Sequence, residues 1–226
     1  MQAIKAYYQI YNDVNGDAIL HKIENIARVC YKSENKIKEG SAEKMVAALI
    51  RSNHEAMLEH ASLTVKFVCD RAMSHEIVRH RLASFAQESQ RYVNYGKEDE
   101  VTFIIPDGMK YKSDEWELWK TNMENAEKTY LSLIKCGVTP QEARSVLPNS
   151  TKTEIVMTAN LREWRWFFKL RAADVTGQAS PQMHELARPL LTELKTLVPI
   201  IFDDITYPGE ELEKAVKEDV KEESTL

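Results

Sequence analysis

The densest group of polar residues in the sequence lies between Arg79 and Tyr92, where a predicted helix gives way to a loop. These fourteen residues include three arginines, one histidine and two serines, but no lysine. The planar guanidinium of arginine suits phosphate groups and heterocycle edges better than the ammonium of lysine does. The segment therefore favours directed binding of an anion. A surface helix end whose arginines compensate the helix dipole would have the same composition and stays an alternative.

A second group of arginines interrupts apolar segments further along the chain. It comprises Arg144, Arg162, Arg165 and Arg171. Because Arg162, Arg165 and Trp166 cannot all share a helix face with Phe168, some of these side chains must point inward or into a cleft. An inward arginine needs an anion or a carboxylate as its partner. Internal salt bridges with some of the 35 acidic residues are the alternative to a bound anion.

Other common chemistries find little support in the sequence. The histidines lack HExxH spacing, and His75 and His80 lie on poorly matching faces of one helix, so no metal site is predicted. Ser84 and Ser89 are not in a GxSxG turn. The sequence contains neither GxGxxG nor GxxxxGK[ST]. If a nucleotide binds, we expect arginines rather than a glycine-rich loop to hold its phosphates.

Length and composition describe an ordinary globular chain. The 226 residues are 43% hydrophobic and 29% charged, which excludes fibrous and wholly disordered classes. The length suits one domain, or at most two small ones. No apolar run approaches the roughly 18–20 residues that span a bilayer, and the N-terminus lacks the apolar core of a signal peptide. Three cysteines without a CxxC pair suit a reducing compartment, so we expect a cytoplasmic protein.

The negative charge is concentrated near the C-terminus. Seven acidic residues and three lysines lie between Glu210 and Glu223, so this stretch carries −4 of the formal net charge of −5. Residues 1–209 are therefore almost neutral. We predict a functional domain over residues 1–209, followed by an acidic tail over residues 210–226 that is either disordered or helical.

Periodicity predicts more helix than strand. Alternating apolar residues predict strands near residues 4–8, 63–70, 101–106 and 153–158. Apolar spacing and capping residues predict helices near 18–32, from 41, 70–82, 114–136, 140–147, 161–171 and 180–197. Asp17 and Asp70 are the expected caps of the first and third helices. Because strands and helices do not alternate regularly, the expected fold class is α+β.

One ordered set of motifs resembles a known family. Arg79-His80-Arg81, followed after seven residues by Ser89, resembles the RHR-x7-S signature of flavin-dependent thymidylate synthases. The similarity continues through Gln90-Arg91-Tyr92 and covers roughly residues 20–205. It includes, in order along the chain, Ala27 to Tyr31, His54-Glu55, Glu59-His60, Ala143-Arg144, Leu147-Pro148, Asn160 to Arg162 and Leu170-Arg171.

The resemblance implies a fold, an assembly and a reaction. The fold is a central, mainly antiparallel sheet flanked by long helices, in a single domain that assembles as a homotetramer with active sites shared between subunits. The reaction is the methylation of dUMP to dTMP. The carbon comes from 5,10-methylenetetrahydrofolate, and the hydride comes from FAD reduced by NADPH. No nucleic acid or membrane partner is implied.

The resemblance also implies roles for individual residues. Arg171 is the implied catalytic residue, because a fixed cation stabilises the negative charge that develops on the activated uracil ring. Ser89 is assigned to binding, since no base at suitable spacing would activate it as a nucleophile. The implied FAD-binding residues are His54, Ala56, Arg79, His80, Arg81, Gln87, Asn160, Arg162 and Trp166. The implied dUMP-binding residues are Glu76, Arg79, Gln87, Glu88, Ser89, Gln90, Arg91, Arg144 and Arg171.

Three other functions stay open as alternatives. A family member that binds flavin and has lost activity is one of them. The sequence departs from the family's usual residues at Ala86, Gln87 and Trp166, which is expected to affect the affinity for flavin and dUMP and to leave the function unchanged. A nucleic-acid-binding module is another, although a nearly neutral domain without a lysine stripe argues against it. A thymidylate synthase with a cysteine nucleophile is the third, and no cysteine here lies among arginines that would lower its pKa.

Overall fold

The computed structural model describes residues 1–11, 13–97 and 100–210. Its centre is a four-stranded antiparallel sheet with the strand order β2-β3-β6-β4. The strands are β2 (Tyr7–Ile10), β3 (Ser62–Asp70), β4 (Ala83–Gln87) and β6 (Lys152–Asn160). A smaller parallel pair joins β1 (Gln2–Ile4) to β5 (Thr102–Ile104). The predicted first strand near residues 4–8 is therefore divided between two sheets.

Helices cover the sheet and extend beyond it. They are α1 (Gly16–Val29), α2 (Ser41–Arg51), α3 (Arg71–Ile77), α4 (Asp114–Lys135), α5 (Pro140–Ala143), α6 (Leu161–Arg171) and α7 (Pro181–Leu197). The mixed helix-and-sheet prediction is confirmed, as is the antiparallel central sheet. None of the helices in the described ranges is long and apolar enough to cross a membrane.

The main core lies between the sheet and α6. Trp164, Phe167 and Phe168 are fully buried, and the Phe167 ring stacks on Phe67 of β3 at a centroid distance of 6.0 Å. Trp164 also donates its indole N–H to the Leu63 carbonyl at 3.1 Å, so its polar edge is satisfied. Removing one such aromatic side chain would cost about 3–5 kcal/mol. This packing fixes α6, and therefore Arg171 at its end, relative to the sheet.

Several local predictions hold and three are wrong. Asp70 caps α3 by accepting from the Met73 amide, and the capping box that begins at Thr139 opens α5. The cap of α1 is Asn15 rather than Asp17. Residues 83–87, expected to follow the helix as a loop, form an edge strand paired with β6, and α3 ends five residues earlier than predicted. Strand pairing with a distant segment outweighs the local polar composition here.

The strand register brings three chain segments to one end of the sheet. Ser62 at the start of β3 lies opposite Asn160 at the end of β6, and Ala83 at the start of β4 lies opposite Ala159. The segments that precede β3 and β4 therefore meet the helix that follows β6. The predicted acidic tail beyond Glu210 lies outside the described residues, while Glu210 itself is buried and bonds to Lys195 at 2.6 Å.

Candidate active site

A cavity of about 850 Å³ opens at the end of the sheet where these three segments meet. Residues from the turn before β3, from the turn before β4 and from α6 line it. They are Glu55, Glu59, Arg79, His80, Arg81, Leu82, Asn160, Arg162, Glu163, Trp166, Lys169, Leu170 and Arg171. Seven of these are among the predicted ligand-binding residues. The register of the antiparallel sheet is thus what assembles the RHR motif with the Asn160–Arg171 segment.

Arg171, at the C-terminal end of α6, is held by three protein contacts. Its Nε donates to Nε2 of His80 at 3.1 Å, and its Nη1 donates to the Glu76 carboxylate at 3.1 Å. Its Nη2 donates to the Glu76 main-chain carbonyl at 3.2 Å. A guanidinium has five N–H donors, so two remain for a ligand. The predicted partners Glu76 and Arg171 therefore lie in direct contact, and Arg171 is fixed with donors to spare.

His80 lies in the wall between Arg171 and a buried carboxylate. Its Nδ1 is 3.2 Å from Oε1 of Glu163, and its ring packs against Phe167 at a centroid distance of 4.9 Å. Burial, and secondarily the positive charge of Arg171, lowers the pKa of His80 to about 4. Burial also raises the pKa of the Glu163 carboxyl. The imidazole is therefore neutral at pH 7, and its contact with Glu163 is a hydrogen bond to a neutral ring.

Arg165 is one of the four arginines of which the sequence predicted that some point inward. Its side chain is 1% exposed and binds Glu55 at 3.0 Å and Asp204 at 2.6 and 2.7 Å, and it also donates to the Ile201 carbonyl. Burial opposes the charge on Arg165, but the carboxylates of Asp204 and Glu55 outweigh it and raise the pKa. The alternative of an internal salt bridge is correct for this residue. Through Glu55 it ties α6 to the turn that precedes β3.

The remaining arginines of the cavity are accessible. Arg79 and Arg81 are exposed, and neither side chain has an ion pair or hydrogen bond within the described parts of the chain. Arg162 is half-exposed and pairs with Glu59 at 2.6 Å. Arginines at the rim that lack a protein partner make this end of the sheet attractive to anions.

The other predicted flavin-binding residues lie in or beside the same cavity. Asn160 caps α6 through its side-chain oxygen, which accepts from the Glu163 amide, so its side-chain N–H groups remain available. Trp166 lines the cavity with 45% of its surface exposed. His54 and Ala56 are exposed and flank Glu55 in the turn before β3. These positions are compatible with the predicted roles, which stay predictions.

Two of the predicted binding residues have their side chains engaged within the protein. The Gln87 amide nitrogen donates to Ser74 at 2.9 Å and to Thr153 at 3.3 Å. The Glu88 carboxylate accepts from Tyr95 at 2.6 Å and from Lys152 at 3.0 Å. Their side chains stabilise the end of β4, and the Glu88 main-chain N–H is also engaged, since it donates to the Glu154 carbonyl at 2.9 Å.

A second group of predicted dUMP-binding residues lies outside the cavity lining. Arg91 donates from Nε to the Gln141 side chain at 3.0 Å, and Arg144 donates from Nε to the Gln141 carbonyl at 3.2 Å. The Ser89 hydroxyl accepts from the Arg91 amide at 3.4 Å. The side-chain Nε2 of Gln90 is buried without a hydrogen-bond partner in the part of the chain that the structure describes. Within one chain, the predicted nucleotide-binding residues therefore form two groups.

Sequence reasoning missed Glu163, which lines the cavity floor and bonds to His80. Its position contained a usable signal. Glu163, Phe167 and Arg171 follow one another at intervals of four residues, which places them on one side of α6. A carboxylate on the same side as a buried phenylalanine and a predicted catalytic arginine is a candidate partner for another polar residue of the site.

A solved structure shares this fold. The UMP/dUMP methylase PolB from Streptomyces cacaoi, bound with 5-Br dUMP, superposes with a TM-score of 0.74 and 24% sequence identity. The superposition covers 90% of this chain and 96% of that one. At this identity the similarity establishes the fold.

Sequence comparisons decide the family. Residues 17–200 match the family model described as "Thymidylate synthase complementing protein". The chain is 38% identical over 165 residues to the flavin-dependent thymidylate synthase of Pyrococcus furiosus, covering 72% of this chain and 66% of that protein. It is 32% identical over 219 residues to that of Mycobacterium sp. (strain JLS), covering 87% and 83% of the two chains. The chain belongs to the flavin-dependent thymidylate synthase family.

Membership of the flavin-dependent thymidylate synthase family confirms the sequence-based identification. The chain is an enzyme of a class that uses a flavin to methylate dUMP to dTMP. Cys69 does not suit the alternative of a thymidylate synthase with a cysteine nucleophile. It lies in the core, and burial strongly raises the pKa of its thiol. Cys30 and Cys136 are exposed and lie outside the cavity lining.

Proposed function

We propose that the protein transfers the methylene carbon of 5,10-methylenetetrahydrofolate to C5 of dUMP, using FAD reduced by NADPH. The observation that carries this proposal is the state of Arg171. Its guanidinium is fixed by three protein contacts and retains two N–H donors in a cavity that is also lined by Arg79 and Arg81, for which the described residues provide no ion pair. A fixed cation with free donors is what an activated pyrimidine ring requires.

The described residues fit a flavin dinucleotide. The cavity volume of about 850 Å³ is within the range of ligand pockets. Arg79 and Arg81, which have no side-chain partner among the described residues, suit a pyrophosphate, and the exposed face of Trp166 suits an aromatic ring. When bound, the flavin supplies the hydride that reduces the transferred carbon to a methyl group. The residues proposed to hold it or to line its site are His54, Ala56, Arg79, His80, Arg81, Gln87, Asn160, Arg162 and Trp166.

Arg171 acts on the uracil ring. When C5 becomes nucleophilic, negative charge develops on the ring oxygens and N3, and the two spare N–H donors of Arg171 stabilise that charge. Because its other donors are already engaged by Glu76 and His80, the guanidinium does not have to reorganise as the charge develops. The pair with Glu76 also reduces the cost of keeping a partly buried cation before the nucleotide binds.

The two groups of predicted dUMP-binding residues support a site shared between subunits. Arg171 and Arg79 line the cavity, whereas Arg91 and Arg144 meet at Gln141 outside its lining. We propose a homotetramer in which the cavity of one subunit is completed by the Ser89–Arg91 segment and Arg144 of another. The proposed dUMP contacts are Glu76, Arg79, Gln87, Glu88, Ser89, Gln90, Arg91, Arg144 and Arg171. Because residues 1–209 are nearly neutral, nucleic acid is not a proposed partner.

The first experiment is an absorbance spectrum of the purified protein. We expect the spectrum of a bound oxidised flavin, which bleaches with NADPH under anaerobic conditions and shifts when dUMP is added. A colourless protein that does not take up added FAD would exclude the proposal.

The second experiment isolates Arg171. Replacing Arg171 with alanine should leave the flavin bound and lower kcat for dTMP formation by about 100- to 1,000-fold, as for the loss of a charge-stabilising donor. Arg51→Ala, on the exposed side of α2, is the matched control and should leave kcat unchanged. Normal turnover by the Arg171→Ala enzyme would reject the charge-stabilising role.

The third experiment tests the shared site by mixing subunits. Arg171→Ala and Arg91→Ala proteins are each expected to be inactive. If a site takes Arg171 from one subunit and Arg91 from another, refolded 1:1 mixtures should regain about one quarter of wild-type activity by random assembly. Mixtures that stay inactive would show that both arginines act within the same subunit.

A further inference from the structure

We propose that His80 and Glu163 form a positioning pair that aims Arg171, with the His80 imidazole held as a single tautomer. This inference rests on the proposed function and assigns the histidine of the RHR motif a different role from that of a flavin contact. Three observations carry it: the use of both ring nitrogens, the direction of the hydrogen bonds, and the geometry left at Arg171.

Both ring nitrogens of His80 are engaged by protein groups. Nδ1 is 3.2 Å from Oε1 of Glu163, and Nε2 is 3.1 Å from Nε of Arg171. His80 and Glu163 are only 3% and 6% exposed, although both lie at the cavity floor. A ligand in the cavity therefore finds no free nitrogen on this ring, and the polar contacts of the imidazole act through Arg171.

The direction of the hydrogen bonds determines the tautomer. A guanidinium N–H can only donate, so Nε2 of His80 must accept from Arg171 and cannot carry a proton. The ring proton then lies on Nδ1 and is donated to the Glu163 carboxylate. The Phe167 ring contacts the imidazole at a centroid distance of 4.9 Å and an interplanar angle of 56°, which adds a packing contact to the two hydrogen bonds. The same arrangement disfavours protonation of Nε2, because a second proton would face the positive charge of Arg171 directly.

The pair completes the restraint of the Arg171 guanidinium. Glu76 engages Nη1 and Nη2 from α3, while His80 engages Nε from the turn before β4. Contacts at all three nitrogens leave the guanidinium plane one orientation. Without the Nε contact, only the two Glu76 contacts on the terminal nitrogens restrain the guanidinium plane. Small errors in the aim of a catalytic group can lower a rate by about 100-fold.

Two substitutions at His80 test the contacts of the two ring nitrogens separately. In His80→Gln the amide oxygen reaches the position of Nε2 and can still accept from Arg171. In His80→Asn the shorter side chain reaches only the position of Nδ1, so it keeps the Glu163 contact and loses Arg171. We expect His80→Asn to lower kcat by about 100-fold with a change in KM for dUMP of less than about three-fold. His80→Gln should retain at least about ten-fold more activity than His80→Asn.

The full-length, flavin-loaded enzyme is assayed with dUMP, methylenetetrahydrofolate and NADPH. His75→Asn is the matched control, since His75 is an exposed residue of α3 outside the cavity lining, and it should leave kcat unchanged. Equal losses of kcat in the two His80 variants, or losses confined to KM, would overturn the proposal. If the proposed function itself is wrong, the wild-type enzyme forms no dTMP, which distinguishes that failure from this one.

A measurement on the unmodified side chain keeps the proposal testable if the variants do not fold. Nitrogen-15 NMR of histidine-labelled wild-type enzyme distinguishes a protonated from an unprotonated ring nitrogen. We expect the His80 signals, identified by their loss in a His80 variant or by their insensitivity to pH between 6 and 8, to show Nδ1 protonated and Nε2 unprotonated. A proton on Nε2 would overturn the proposal.

Discussion

Replacing Arg165 with methionine should destabilise the fold far more than the same change at Arg162, three residues earlier in the same helix. The two arginines each pair with a glutamate of the turn before β3. Arg165 is 1% exposed, whereas Arg162 and its partner Glu59 are 52% and 45% exposed. Methionine fills similar volume and favours helix, so the comparison isolates the charge.

The expected magnitude follows from what Arg165→Met leaves behind. Glu55, with a side chain only 13% exposed, and the Ile201 carbonyl each lose a buried donor. Removing one partner of a buried pair costs about 3–5 kcal/mol. Asp204 is 47% exposed and can be rehydrated, and Lys169 stays 3.8 Å from Glu55, so we expect the lower end, about 3 kcal/mol. The exposed pair at Arg162 is worth only about 0–1 kcal/mol.

The assay is urea unfolding of flavin-free protein, followed by circular dichroism. Flavin is left out because Arg162 is a proposed flavin contact, and a ligand bound only to the native state would add its own stabilisation. With a slope of about 3 kcal/mol per molar urea, Arg165→Met should lower the midpoint by about 1 M, and Arg162→Met by about 0.3 M or less. Equal shifts for the two variants would refute the reasoning that burial decides the contribution of these arginines.

Three further predictions concern pH and packing. The fold lowers the pKa of His80 to about 4, so between pH 6.5 and 4 the unfolded chain binds more protons than the folded one. As the pH falls from 7 to 5, the free energy of unfolding should therefore decrease by about 2 kcal/mol. Urea unfolding of His80→Gln should lack this component. Gly16→Ala should cost about 1–3 kcal/mol by the same assay, since its Cβ would lie 2.2 Å from the Leu197 carbonyl oxygen. Glu88→Ala should cost about 1–3 kcal/mol by the same assay, because the hydroxyl of Tyr95 loses its partly buried acceptor.

Much of the secondary structure could be predicted because its signals are local. Asp70 caps α3 within one turn, and the Thr139-Pro140 start of α5 uses residues three positions apart. Gly137 follows the C-terminal end of α4 and has a φ of 86°, in the left-handed region that glycine adopts without strain. The strand β4 could not be predicted in this way. Its polar, arginine-flanked sequence forms a strand because β6, about seventy residues later, provides the partner.

In the candidate site, too, the sequence could predict some features and only the structure could provide others. Motif order alone identified the family and nominated Arg79, Arg81 and Arg171, because spacing along the chain is a property of the sequence. The helix-face argument indicated that some of the arginines must point inward or into a cleft, but not that Arg165 pairs with Glu55 and Asp204 while Arg162 stays near the surface.

Only the tertiary structure decided what each polar group contacts. His80 and Glu163 are 83 residues apart, and His80 and Arg171 are 91 apart. The register of β3, β4 and β6 brings these residues to one end of the sheet, and packing of α6 on Phe67 fixes their distances. The residue types set which hydrogen bonds and charges are available. Burial and register determine which of them form, and these depend on contacts that no local stretch of sequence contains.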